Sequence, residues 1–200
     1  MTNQEGSGKM NGVHRWMCRS AFWRKTLEQK VMPWVLSGVE LGEEVLEIGP
    51  GPGLTTDLLR QRIARITALE IDPVLADSLA ARLGSSNVTV IRGDATAMPF
   101  VDARFSGAVS FTMLHHLPSP DLQDKLLREV RRVLRPGGVF AGVDSRQSLS
   151  MRLLHIHDTL VPVNPNTFSA RLEAAGFQDV FIETDNRAFR FHARPTREGP

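Results

Sequence analysis

A single cysteine, Cys18, among 200 residues leaves no internal disulfide and excludes every scaffold built on one. No stretch approaches the ~20 consecutive apolar residues of a membrane-spanning helix. Charge of one sign is scarce as well: 24 lysines and arginines stand against 22 acids, a net charge of +2. The pI of about 9.1 reflects a small arginine surplus, so nucleic-acid binding is permitted by charge but not predicted by it. The opening MTNQEGSGKMNG is polar and glycine-rich, without an apolar core behind a basic start. It reads as a disordered tail over residues 1–12, not as a signal peptide. These absences point to a cytoplasmic protein. The 42% hydrophobic and 23% charged residues that are present make a globular composition, and a chain this long can bury roughly 70% of its unfolded surface without metal or disulfide.

Residues 13–42 form an expected N-terminal helical arm. Within it, from His14 to Val39, Trp16, Phe22, Trp23, Leu27, Val31 and Trp34 recur at helical spacing. Pro33 is expected to interrupt or kink the run, leaving one helix or two. All three tryptophans fall here, and the arm either packs on the main body or closes over a ligand.

Residues 43–200 alternate short apolar runs with amphipathic helices. Strands are expected at Val45–Ile48, Ile66–Ile71, Val88–Ile91, Gly107–Phe111 and Val139–Val143. Helices are expected over Thr55–Ile63, behind the Asp72-Pro73 cap, and behind Ser119-Pro120-Asp121, where Arg135-Pro136-Gly137-Gly138 stops the run. A less regular stretch follows from Ser145 to Asn166, in which Asn164-Pro165 reads as a turn. A helix over Phe168–Ala175, closed by Gly176, precedes strands Val180–Glu183 and Ala188–His192, joined at hairpin length. The alternation implies right-handed crossovers and an α/β, Rossmann-like, doubly wound sheet that is mostly parallel, finished by an antiparallel hairpin.

The chemistry concentrates at Glu47-Ile48-Gly49-Pro50-Gly51-Pro52-Gly53, between a strand and a helix. Gly49, Gly51 and Gly53 allow positive φ angles and close approach of a ligand to the backbone. A dinucleotide fingerprint would place its last glycine at position 54, which is Leu54. Glu47 would repel a pyrophosphate and attract an ammonium group, so the ligand is cationic here. Glu70 ends the second strand, where a carboxylate accepts from both hydroxyls of a ribose. Gly93-Asp94-Ala95 follows the third strand, where the aspartate suits a purine amine. Three acids at the carboxyl ends of successive strands fit a nucleoside with an amino-acid tail.

These residues resemble the class I S-adenosylmethionine-dependent methyltransferases, over about Glu43 to His192. The likeness rests on Glu47–Gly53, Glu70, Asp94-Ala95, the SFTMLHHL segment Ser110–Leu117 and the LLREVRRVLRPGGVF block Leu126–Phe140. It implies seven strands in the order 3-2-1-4-5-7-6, S-adenosylmethionine as methyl donor and S-adenosylhomocysteine as product. By resemblance Ile71 borders the adenine, and the Gly49 and Ser110 backbone meets the methionyl part. LEIGPGPGLTT followed by ALEIDP is similar to the ribosomal RNA adenine dimethylases, which carry Asn-(Leu/Ile)-Pro-Tyr after strand four. This sequence has Ser110-Phe111-Thr112-Met113 there and no tyrosine at all. His115-His116-Leu117 and Arg135–Gly138 look more like the type 11 branch acting on small molecules such as quinones, lipids and natural products.

The expected reaction is therefore in-line transfer of the sulfonium methyl to a small-molecule acceptor, with nucleic acid not expected as partner. Nucleobase methylation and non-catalytic, regulatory binding of the nucleoside are the alternatives. Alignment of the nucleophile can supply ~7–11 kcal/mol. A protic acceptor also needs a base, for which His115, His116, Asp144, His155 and His157 are placed, none singled out. His14, Cys18, His116, His155 and His157 do not form the four-ligand cluster of a structural zinc, so no metal is expected. Arsenic methylation would need several thiols. Oligomeric state is not legible.

Overall fold

The computed structural model describes residues 20–146 and 159–196. The expected tail, together with Trp16, His14, Cys18, His155 and His157, lies outside the described residues. One mixed sheet has the order β3-β2-β1-β4-β5-β7-β6: β1 Glu44–Ile48, β2 Arg65–Glu70, β3 Val88–Arg92, β4 Phe105–Phe111, β5 Leu134–Ser145, β6 Phe177–Thr184 and β7 Ala188–Pro195. The first five strands are parallel, and β7 runs antiparallel to both β5 and β6. The Rossmann-like topology and the closing hairpin are those expected.

Helices α1 Ala21–Thr26 and α2 Met32–Val35 precede β1, joined by a π-helical turn Leu27–Val31. Pro33 does not split the arm. The wide turn, in which the Met32 N–H reaches back to Leu27 O, carries the helix into the proline, and the rod stays continuous. Leu27, Met32 and Val35 are buried in one apolar layer with Val45, Ile66, Val109, Ala141 and Val143. Trp34 Nε1 donates to Glu183 of β6, and Arg190 of β7 donates to the Trp34 carbonyl.

Helix α3 spans Leu54–Leu59, α4 Pro73–Leu83, α5 Pro120–Val133 and α6 Pro165–Ala174. Leu58, Leu59, Leu79 and Leu83 join the arm's layer on one face of the sheet. Leu126, Leu127, Val130, Val133, Phe168 and Leu172 cover Leu46, Ile48, Leu69, Ala108 and Phe140 on the other. No helix among the described residues is long and apolar enough to cross a membrane.

Two local expectations change. Arg135–Gly138 does not separate a helix from a strand: β5 begins at Leu134, and these residues form a bulge between the pairs Phe105↔Leu134 and Gly107↔Val139, exposed over Arg135, Pro136 and Gly137 and buried again at Gly138. Asn164-Pro165 is not a free turn either. The Asn164 side chain accepts the Asn166 N–H, and Pro165 starts α6, the position where a missing N–H costs nothing.

Candidate active site

Side chains alternate along a strand, so Leu46 and Ile48 face one apolar layer while Val45 and Glu47 face the other. Glu47 therefore points toward the start of α3, and its carboxylate is only 1% exposed. The Thr55 hydroxyl donates to Glu47 Oε1, whereas Oε2 has no hydrogen-bond partner. The Thr56 hydroxyl acts only as a nearby dipole, without a bond of its own. Burial pushes the Glu47 carboxyl up to about 7, the threonine hydroxyls oppose the shift, and Asp57 and Glu70 add to it. A buried carboxylate with an unpartnered oxygen is costly unless a donor completes it. A primary ammonium is such a donor.

The loop after β1 turns through Gly49, Gly51 and Gly53, all at positive φ (64°, 55° and 86°). The Gly49 N–H donates to Leu69 O at 2.9 Å, and a Cβ at Gly49 would run into the Met113 side chain. A Cβ at Gly53 would collide with Leu79. Leu54 thus begins α3 directly behind a left-handed cap.

Glu70, 5% exposed, closes the loop from the neighbouring strand. Its Oε2 accepts the Gly51 N–H and its Oε1 the Asp72 N–H, each at 2.9 Å. Burial raises its carboxyl above the usual range, against those backbone donors. A carboxylate has about four lone-pair sites, so two remain for hydroxyls of a ligand. Asp72 caps α4 by accepting from Val74 and Leu75. Ile71, expected as the last residue of its strand, lies beyond the end of β2 and is 52% exposed. Asp94, exposed after β3, accepts the Thr96 N–H at 2.7 Å, with Ala95 half-buried beside it. Glu47, Glu70 and Asp94 therefore share the carboxyl edge of β1, β2 and β3.

Ser110 is one residue inside the end of β4, in register with Ile48 and Gly142. It is buried and its hydroxyl has no hydrogen-bond partner. Beyond β4, Thr112 takes a left-handed φ of 52°, unusual for a β-branched residue, and its N–H donates to Val143 O at 2.8 Å. The chain then enters a 3₁₀ turn, Leu114–His116. His115 is 2% exposed, and its Nδ1 lies 2.5 Å from Oδ1 of the fully buried Asp144. The rings of His115 and His116 lie 4.3 Å apart.

Of the expected base candidates, His115 and Asp144 are thus paired, and His155 and His157 lie outside the described residues. Among the described residues no three His, Cys, Asp or Glu side chains gather to hold a metal. Thr55 and Met113 were not singled out from the sequence. Thr55 was detectable, since a hydroxyl eight residues past a buried acid opens the following helix. Met113 was not, because its place over Gly49 depends on the turn at Thr112.

A family model described as a methyltransferase domain matches residues 46–142. A ubiquinone/menaquinone biosynthesis C-methyltransferase of Pseudomonas paraeruginosa is 33% identical over 139 residues, covering 64% of this chain and 46% of that protein. A probable ribosomal RNA small subunit methyltransferase A of Thermococcus onnurineus is 42% identical over 74 residues, 37% of this chain and 26% of that one. The chain spans less than half the length of these curated relatives. A solved structure from Pyrococcus horikoshii superposes with a TM-score of 0.77 at 18% identity, over 89% of this chain and 93% of the other, a likeness of fold. The glycine loop between β1 and α3, the strand order and the family match agree: residues 46–142 are a methyltransferase domain of the class I, S-adenosylmethionine-dependent kind, in its type 11 branch.

Proposed function

We propose that this chain transfers the methyl group of S-adenosylmethionine to a small-molecule acceptor, releasing S-adenosylhomocysteine. Glu47 and Glu70 carry this reading: two buried carboxylates flank one glycine loop, the first with an oxygen lacking any partner, the second bonded to the loop's own Gly51 N–H. Glu47 would hold the donor's ammonium, Glu70 its ribose hydroxyls and Asp94 its adenine amine. Ile71 and Ala95 would border the base, and the backbone at Gly49, Gly51, Gly53 and Ser110 would lie along the methionyl side. The donor supplies an electrophilic methyl, so the protein's own task is to align a nucleophile and exclude water. A cytoplasmic location goes with this reading, on the single cysteine and the absence of a long apolar helix among the described residues.

The likeness to a ribosomal RNA enzyme over 74 residues favours nucleobase methylation as a second reading. Ser110-Phe111-Thr112-Met113 offers neither a side-chain amide nor an aromatic ring at its last position, where a flipped base would need both to be held and stacked.

Calorimetric titration with S-adenosylmethionine and S-adenosylhomocysteine, followed by a screen of phenol, quinone, amine, thiol and RNA acceptors for S-adenosylhomocysteine release, tests both readings. Binding with turnover of a small acceptor is expected. Turnover of RNA alone would favour the second reading. Binding without turnover on the whole panel would make the chain a regulatory binder, and no binding at millimolar donor would refute the assignment.

A further inference from the structure

The glycine loop is held from a helix as well as from the sheet. Glu70 of β2 takes the Gly51 N–H at 2.9 Å, and at the next residue Arg82 of α4 reaches the Pro52 carbonyl with Nη2 at 3.3 Å. Leu79 and Arg82, three residues apart on one face of α4, come down on Gly53: a Cβ there would lie 2.4 Å from Leu79 Cδ1 and 2.6 Å from Arg82 Nη2. The other nitrogen of the guanidinium, Nη1, lies 2.7 Å from both carboxylate oxygens of Asp57. Asp57 is a buried residue in the first turn of α3, and its own N–H donates to Gly53 O at 3.0 Å. One arginine thus ties α4 to α3 and to the loop that precedes it.

Asp57 matters because of the carboxyl beside it. Burial does most to hold the Glu47 proton, and the charges of Asp57 from α3 and Glu70 from β2 add to that hold. The register partners of Glu47, Ala68 in β2 and Val109 in β4, are apolar. The counter-charge therefore enters one step away, on Asp57. Arg82 makes the close ion pair there, while Arg60, the C-cap of α3, stands at 3.4 Å. Like charges disfavour the ionised form of a carboxyl, and a cation that cancels one of them restores it.

We propose that Arg82 is a positioning residue of the donor site: by cancelling the charge of Asp57 and bracing the loop at Pro52, it lets Glu47 stand ionised for the donor's ammonium. It acts through Asp57 and the loop, not by contact with the donor. The donor then meets a loop already in place and a carboxylate already charged, which lowers the cost of binding. Without this guanidinium, Glu47, Asp57 and Glu70 would surround one glycine loop with Arg60 alone paired to Asp57 among the described residues, and Glu47 would keep its proton to higher pH. The inference rests on the proposed methyl-donor site.

The test reads Glu47 directly in the whole chain. Protein labelled with ¹³C at the glutamate carboxyls, with the Glu47 signal identified by its loss in Glu47→Gln, is titrated without donor as wild type, Arg82→Gln and Asp57→Asn. Arg82→Gln should move the Glu47 midpoint up by about half a pH unit or more, and Asp57→Asn should move it down by about as much. Donor affinity of Arg82→Gln, measured by calorimetry near pH 6, should fall by about threefold or more, because affinity there tracks the ionised fraction of Glu47. A merely structural role would not shift the two midpoints in opposite directions. Midpoints within about 0.2 pH unit of wild type, or moving the same way, overturn the proposal, and Asp57→Asn decides alone where Arg82→Gln does not fold. Wild-type affinity in Arg82→Gln near pH 6 overturns it as well. Failure of the wild type to bind the donor strikes instead at the proposed function, and the donor-free midpoints still show whether Arg82 sets the charge of Glu47.

Discussion

Replacing Glu47 with glutamine separates what this carboxylate does for the fold from what it does for the ligand. The group is 1% exposed and its carboxyl is raised from 4.5 to about 7, chiefly by burial. The native state therefore holds this proton more tightly than the unfolded chain does. Its contribution to stability is complete below pH 4.5 and is lost as the pH climbs through about 7, a decline on the order of 3 kcal/mol at its end. Glu47→Gln should abolish that decline, so the ligand-free variant should be more stable than wild type at pH 8 by up to that amount (~3 kcal/mol). Ligand binding should move the other way. A cationic donor needs the carboxylate charged, so wild-type affinity should fall as the pH drops below about 7, approaching tenfold per pH unit, with up to one proton released on binding. The variant should bind weakly and without that dependence. Urea melts between about pH 4 and 8 give the stability arm, and calorimetry in two buffers of different ionisation enthalpy counts the protons. Wild-type binding without proton release near pH 6, together with full affinity in Glu47→Gln, would refute the reasoning.

The other variants probe the loop and the frame that carries it. Glu70→Ala removes the acceptor of two backbone N–H groups, Gly51 and Asp72, as well as the proposed hydroxyl partner, so donor affinity should fall by about 1–3 kcal/mol; unchanged affinity in calorimetry would show that the ribose is held elsewhere. Gly107→Ala would set a Cβ 2.5 Å from the Leu41 carbonyl oxygen, a backbone atom that cannot swing aside. It should cost about 1–3 kcal/mol in denaturant melts, and a wild-type midpoint would mean that the segment before β1 is not packed as described. Thr112→Gly removes a β-branched residue from a left-handed backbone and should raise stability by about 1 kcal/mol net of the glycine's greater unfolded freedom; a loss instead would mean that the turn owes its shape to the threonine side chain.

The carboxyl edge of β1, β2 and β3 was legible because its chemistry sits in short, contiguous segments. Three glycines in five residues can only serve a turn of positive φ, and an acid at a strand end is visible as such. The contact between Glu70 and Gly51 was not legible, since it needs the register that sets β2 beside β1. The same holds more strongly for His115 and Asp144. They are 29 residues apart and meet because Phe111 and Val143 are partners in the parallel β4–β5 ladder, a pairing that no periodicity reveals. The arm misled in the opposite sense. Pro33 carries a strong local preference for breaking a helix, and burial of Leu27, Met32 and Val35 against the sheet outweighed it through one wide turn. Propensity was correct about the strain and silent about what would absorb it.

The acids of the edge also differ in what they ask of the fold. Asp94 is exposed and bonded to its own turn, so it costs almost nothing to keep and can offer a ligand only a directed acceptor. Glu70 is buried but bridges two backbone donors, which repay part of its desolvation and make it a strut of the loop. Glu47 is buried with one oxygen unmatched, and all it gives α3 is an acceptor for the Thr55 hydroxyl: an apolar side chain would pack the same layer, losing that one bond and avoiding the burial of a charge. A residue that destabilises the empty fold near neutral pH, next to a loop shaped for close approach, has its physical justification in what binds. Low effective dielectric strengthens its attraction for a cation by the same factor that makes its isolation expensive. The cost to the fold and the affinity for the donor's ammonium are therefore two readings of one burial.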